Sequence, residues 1–327
     1  MNTQPRKDFI MKILVTPTSM RPDNPTEALR TLQAFSNDLV FNPTGKPLTE
    51  DELIPLLQDC DGYLAGLDFV TDKVIAACPN LKAISRYGAG FDRVDTVAAK
   101  NAGVPVTNTP GVNAQAVGEL AFGLIIALAR RIPYLNNKTR TGEWVRSTGM
   151  ELKNKTLGIF GLGAIGKVVA CCAKGFGMKV IAYDPFIDKA YCQANDIESC
   201  TREEALKQAN VISLHLPLND ETRNYINRNT IDMMLDGSII VNTSRGGIIN
   251  EDDAYEALKS GKLLGLGLDA FAIEPPTNSP LFELDNVVVT PHTGAHTEEA
   301  TLNMANASVK NLIDVLSGND CPFIVNK

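Results

Sequence analysis

Histidine is scarce in this chain, and nothing in it resembles a cysteine framework. The three histidines (His215, His292, His296) form no HExxH pattern, which argues against a zinc enzyme and leaves no expected metal site. The seven cysteines are odd in number, with no CxxC and no regular spacing, as expected of reduced thiols in a cytoplasm. The adjacent pair Cys171–Cys172 falls inside an expected helix and reads as core filling. Basic residues are in deficit: 31 Lys plus Arg stand against 38 Asp plus Glu, a net charge of −7. That balance argues against a nucleic-acid partner, and any anionic ligand has to be held by local positive features. Long apolar runs are missing too. The longest, Leu120–Ala129, is well short of the roughly 20 residues of a membrane span. No secretory pattern opens the chain. Met1–Phe9 is polar, and Met11, just before the first apolar strand, reads as the natural start, with the first ten residues an appendage.

What is present is alternation. The 327 residues suggest two domains at about 100–200 residues each. Short apolar runs alternate with helical patterns, as in a parallel α/β protein. The first third predicts strands at Lys12–Thr16, Asp38–Phe41, Gly62–Ala65, Leu81–Ser85 and Pro105–Thr107, with helices between them. Asn108-Thr109-Pro110-Gly111 is a turn cluster and reads as a crossing between domains. A long helix is expected from Ala114 to Arg131, with Pro133 as its boundary or kink. Six further strands follow: Thr156–Phe160, Lys179–Tyr183, Val211–His215, Ser238–Asn242, Leu264–Asp269 and Asn286–Thr290. Six strands with intervening helices match a dinucleotide-binding sheet. The last helix, Glu298–Leu316, is expected to return to the first lobe. The predicted fold is therefore two doubly wound parallel-sheet domains. Residues 109–294 form the nucleotide domain, inserted into a discontinuous domain of residues 1–108 and 295–327.

The most informative stretch is Gly161-Leu162-Gly163-Ala164-Ile165-Gly166. A lone GxGxxG is weak evidence, but this one directly follows a strand and opens an apolar helix. Gly161 allows a tight turn, Gly163 lets the backbone approach a pyrophosphate, and Gly166 lets helix and strand pack closely. The helix start offsets the anion's charge. Asp184 ends the next strand and is suited to accept from the adenosine ribose hydroxyls. A carboxylate there would repel a 2′-phosphate, so NAD is expected over NADP.

Three polar residues follow later strands at their C-terminal ends, where ligands bind in such sheets. Arg245, before two glycines, offers a bidentate fork for a carboxylate. Glu274 precedes Pro275, and His292 lies in Pro291-His292-Thr293-Gly294. Singly each has a bland explanation: a capping arginine, a surface glutamate, a hydrogen-bonded loop histidine. Together, after that glycine loop, they fit one reaction. Hydride transfer to a ketone creates alkoxide character, which requires a proton donor in hydrogen-bond reach, and histidine suits a reaction run both ways near neutral pH.

With GLGAIG, NTSRGG, Glu274-Pro275 and PHTGA in this order and spacing, the chain resembles the D-isomer-specific 2-hydroxyacid dehydrogenases from Lys12 onward. Within that family it is similar to the short phosphoglycerate dehydrogenases, with Tyr87-Gly88-Ala89-Gly90 and His215-Leu216-Pro217 in corresponding places. The resemblance implies a Rossmann NAD domain inserted into a flavodoxin-like substrate domain, and a homodimer. It implies that Arg245 binds the substrate carboxylate and polarises the carbonyl. His292 is the general acid, and Glu274 pairs with it and favours its protonated form. The backbone of Tyr87, Gly88, Ala89 and Gly90 closes on the substrate, with Arg86 a candidate for a distal anionic group. Gly161, Gly163, Ala164, Ile165, Gly166, Asp184, His215, Leu216, Thr243, Ser244, Asp269 and Gly294 form the implied cofactor set. D-3-phosphoglycerate comes first as substrate by resemblance. Relatives specific for it often carry an arginine after the strand that here is Gly62–Ala65, whereas this chain has Gly66-Leu67-Asp68. An unphosphorylated acid (glycerate, lactate, a sugar acid) is the alternative. The fold also resembles NAD-sensing corepressors, which keep a similar triad but use long disordered extensions that this composition lacks.

Overall fold

Runs of four or five apolar residues between helical segments can be satisfied as parallel strands covered on both faces. Gly62–Ala65, Val211–Leu214 and Ser238–Asn242 are such strands, with every residue buried. The computed structural model describes residues 11–327; the first ten, read above as an appendage, lie outside them. The chain divides into two units, Met1–Asn113 with Thr297–Lys327, and Ala114–His296.

In the first unit β1 (Lys12–Val15), β2 (Asp38–Phe41), β3 (Gly62–Ala65), β4 (Ala83–Arg86) and β5 (Val106–Thr107) form a parallel sheet in the order β2-β1-β3-β4-β5, the flavodoxin-like order. The helix Glu298–Leu316 packs over β3 and β4, and Ser85 Oγ donates to the Ser308 carbonyl at 2.8 Å. The chain's last residues cover the outer edge of β5. Ile324 bridges Thr107 in antiparallel fashion, and Val325 N–H donates to the Val106 carbonyl at 2.8 Å. An exposed edge is thereby closed to pairing with another chain.

The second unit holds β6 (Thr156–Phe160), β7 (Lys179–Tyr183), β8 (Glu198–Ser199), β9 (Val211–Leu214), β10 (Ser238–Asn242), β11 (Leu263–Leu268) and β12 (Val287–Val289). Its order, β12-β11-β10-β9-β6-β7-β8, reverses direction between β6 and β9. That reversal is the switch point at which α/β sheets bind ligands. The sheet has seven strands where six were expected. The extra one, β8, has two exposed polar residues at the edge, too short and too polar to leave a pattern. The long helix ends at Ala129, and Arg131 adopts a left-handed φ of 53°. Pro133 starts a new helix, Ile132–Arg140, and does not kink the old one, because proline's missing N–H costs nothing in a first helical turn. Among the described residues no helix is long and apolar enough to cross a membrane.

Candidate active site

The second unit's sheet lays its polar loops along one edge. In strand order, Asp184 follows β7, the glycine loop follows β6, His215 follows β9, Thr243–Arg245 follow β10, Asp269 and Glu274 follow β11, and His292 follows β12. At about 4.8 Å per strand, this row spans roughly 24 Å. The nucleotide-type features sit at one end and the acid–base features at the other.

The glycine loop is built by sterics. Gly161 has φ +93°, and a Cβ there would lie 2.4 Å from the His215 carbonyl oxygen. A Cβ on Gly166 would lie 2.2 Å from the Gly161 carbonyl oxygen. Both positions are closed to any side chain. Gly163 is the opposite case: a Cβ there meets nothing within 4 Å, so the space beside it is open to a ligand. Gly163 caps the helix Ala164–Gly175 with no side-chain bond, leaving its first amides to an anion. Asp184 Oδ2 accepts from Leu162 N–H of this loop and Oδ1 from Phe186 N–H, each at 2.8 Å. The carboxylate is thus fixed in direction. A carboxylate has about four lone-pair sites, so two remain for ribose hydroxyls.

Two residues expected in the cofactor set carry unsatisfied atoms. His215 Nδ1 and Thr243 Oγ1 are buried and meet no partner among the described residues. Burial pushes the His215 imidazole down to about 4, so it is neutral at physiological pH. Its other nitrogen lies 2.9 Å from Ser213 Oγ. Orphaned polar atoms beside an open glycine cradle are what a site shaped for a bound dinucleotide leaves behind. Leu216 is buried next to them. The residues present fit NAD.

At the other end, His292 Nδ1 lies 2.9 and 3.0 Å from the two carboxylate oxygens of Glu274. The imidazole is 29% exposed and the carboxylate 19%. With Nδ1–H donating to Glu274, the ring is oriented and its Nε2 has no hydrogen-bond partner among the described residues. The loop that carries it is tied down by Asp269. This buried carboxylate accepts from Thr290 Oγ1 at 2.6 Å, Thr293 N–H at 2.7 Å and Gly294 N–H at 2.8 Å. Its oxygens are therefore spent on the 290–294 turn, which holds His292 at φ 52°. Arg245 Nη1 donates to the Ser244 carbonyl at 2.8 Å. Its backbone is stapled by Asn242, whose Nδ2 donates to the Arg245 carbonyl at 2.7 Å while Oδ1 accepts from Ser244 N–H and Oγ. Asn242 was missed from the sequence, although a polar residue closing the apolar run Ile239–Val241 was its signal.

In the first unit, the Tyr87–Gly90 loop leaves β4 beside the end of β3. Arg86, expected to face the substrate, is 4% exposed. Its Nη1 donates to the Ala65 carbonyl at 2.9 Å and its Nε to the Gly90 carbonyl at 3.1 Å. It braces the loop from beneath. Tyr87 Oη donates to the Thr301 carbonyl and accepts from Ser19 Oγ, each at 2.9 Å. Asp68 turns inward. Its buried carboxylate accepts from Leu48 N–H at 2.6 Å, from Tyr63 Oη at 2.8 Å and from Thr16 Oγ1. Burial, and then the adjacent Asp68 charge, hold the Tyr63 phenol well above its usual range.

A strand, a glycine loop and a helix, with an acid ending the next strand at a sheet's switch point, define a dinucleotide-binding Rossmann domain. Comparison narrows this further. The model of the D-isomer specific 2-hydroxyacid dehydrogenase NAD binding domain matches residues 122–294. The D-3-phosphoglycerate dehydrogenase of Methanocaldococcus jannaschii is 42% identical over 283 residues, which is 85% of this chain and 54% of that protein. The chain thus spans about half of that relative's length. The glyoxylate reductase of Thermococcus litoralis is 42% identical over 330 residues, covering 97% of this chain and 98% of that one. A D-lactate dehydrogenase from Aquifex aeolicus, solved with NAD and lactic acid, matches 97% of this chain and 99% of its own with a TM-score of 0.85 at 28% identity. The chain belongs to the D-isomer-specific 2-hydroxyacid dehydrogenase family, and its cofactor is NAD.

Proposed function

We propose that the protein interconverts a small 2-oxo acid and its D-2-hydroxy acid, and that its preferred substrate carries no phosphate. The Glu274–His292 pair carries the reading, because it supplies an oriented imidazole whose outer nitrogen is open to a reacting oxygen. Bound NADH supplies the hydride. Arg245 takes the substrate carboxylate and draws electron density from the carbonyl. His292 Nε2 donates a proton to the carbonyl oxygen as it gains charge, and takes it back in the reverse direction. Glu274 holds the ring in place through Nδ1. The amides of the Tyr87–Gly90 loop offer a further set of donors suited to a substrate carboxylate.

The absence of phosphate is supported by the first unit. No cation follows β3 in Gly66-Leu67-Asp68, and Arg86 lies beneath its loop. The 42% identity to a D-3-phosphoglycerate dehydrogenase favours a second reading, 3-phosphohydroxypyruvate. A steady-state panel separates the two. Hydroxypyruvate or glyoxylate with NADH is expected to exceed 3-phosphohydroxypyruvate in kcat/KM by about tenfold, the worth of one charge-assisted contact. The reverse order would establish the phosphorylated substrate, and turnover of no 2-oxo acid would remove the proposal.

A homodimer belongs to the same reading. The helix Ile132–Arg140 buries none of its residues, and Trp144 just beyond it is 83% exposed. A second copy covering this stretch would double the 35.3 kDa mass, and sedimentation that gives a single-chain mass at working concentration would refute it. All seven cysteines are free thiols, which supports a reducing compartment such as the cytoplasm.

A further inference from the structure

We infer that Asn108 is a positioning residue that aims backbone amides at the substrate carboxylate, an inference that rests on the reading of the Tyr87–Gly90 loop proposed above. A trans peptide group is flat, so the carbonyl of one residue and the N–H of the next point in opposite directions. Tying a carbonyl inward therefore turns the following amide outward.

Three successive carbonyls of this loop are tied in that way. Gly88 O accepts from Thr109 N–H at 3.0 Å, Ala89 O from Asn108 Nδ2 at 2.7 Å, and Gly90 O from Arg86 Nε at 3.1 Å. The three amides that follow them, those of Ala89, Gly90 and Phe91, have no hydrogen-bond partner among the described residues. Consecutive unpartnered amides in a turn make a concave site for an oxyanion. Such a site needs no cation, which suits a first unit whose Arg86 is committed to carbonyls.

Asn108 is the one of these three donors that acts through a neutral side chain held in place independently of the loop. Its own N–H donates to the Phe323 carbonyl at 3.3 Å, and its carbonyl accepts from the buried Asn311 Nδ2 at 2.9 Å. The last helix and the terminal segment thus fix Asn108, and Asn108 fixes the Ala89–Gly90 peptide. Without its donor that peptide is free to rotate, and the Gly90 amide leaves the site.

The test is Asn108→Asp, which keeps the shape and removes the donor. The KM for hydroxypyruvate is expected to rise by about 10- to 100-fold, with kcat and the NADH KM moving by less than about threefold. Lowering the pH protonates the new carboxyl and restores an O–H donor, so the ratio of variant to wild-type KM should shrink towards acid. Ser85→Ala removes a comparably buried hydrogen bond in the same core and serves as the control, lowering Tm without moving the KM. Asn108→Ser provides the same KM reading if the first variant does not fold. An unmoved KM in a folded Asn108 variant, or a ratio indifferent to pH, overturns the inference and leaves the proposed reaction standing. A wild-type protein that turns over no 2-oxo acid overturns both.

Discussion

Replacing His292 with Asn is expected to lower turnover of the 2-oxo acid by about 10²–10⁴-fold, the usual worth of a positioned general acid, while NADH binding is retained. The substitution is chosen for what it keeps. Asn can still donate to Glu274, so the pair at 2.9–3.0 Å survives in part, and the turn held by Asp269 is untouched. What is lost is the outer nitrogen and its exchangeable proton. Reduction takes a proton from the imidazole and oxidation returns one to it, so the variant should be slowed in both directions. Fluorescence titration with NADH reads cofactor binding separately, since the glycine loop and Asp184 lie at the other end of the strand row. A variant with near-normal turnover would strip His292 of its role.

How much of this was legible in advance differs residue by residue. The glycine loop was readable because its constraint is local: Gly161 and Gly166 touch backbone a few residues or one strand away, and no side chain fits. Glu274 and His292 could be named as partners only through the family resemblance, since eighteen residues separate them and no spacing rule joins two loops. Sequence gives a residue's chemistry but not its direction. Arg86, read as a candidate for a distal anionic group, donates to the Ala65 and Gly90 carbonyls and so braces its own loop. Asp68 is a bare charge in the sequence, and in the fold its carboxylate is consumed by Thr16, Leu48 and Tyr63. Asn242 and Asn108 each close a short apolar strand, where sequence reading sees only a boundary. Their hydrogen bonds make them the fixtures on which Arg245 and the Ala89–Gly90 peptide are mounted.

Arg245→Gln should bring the second large loss. Removing one partner of a hydrogen-bonded charge pair costs about 2–5 kcal/mol, which corresponds to a fall in kcat/KM of about 30- to 4,000-fold. The fall should divide between the two constants. The part of the interaction made equally to substrate and transition state appears as a higher KM, and the part that grows as the carbonyl oxygen takes charge appears as a lower kcat. Arg245→Lys distinguishes charge from geometry. Lysine keeps the positive charge but not the planar fork, so it should recover KM in part and kcat hardly at all if the guanidinium polarises the carbonyl as well as binding the carboxylate. The arginine is prepared for this before substrate arrives, because Asn242 pins its backbone and Ser244 anchors one arm of its fork. A lysine at the same place would have to order four flexible methylenes, a cost of up to about 2 kcal/mol in side-chain entropy, to reach the same point with fewer bonds. If Gln at this position stays within about threefold of wild type, a difference below 1 kcal/mol, the guanidinium touches neither the substrate nor the developing charge.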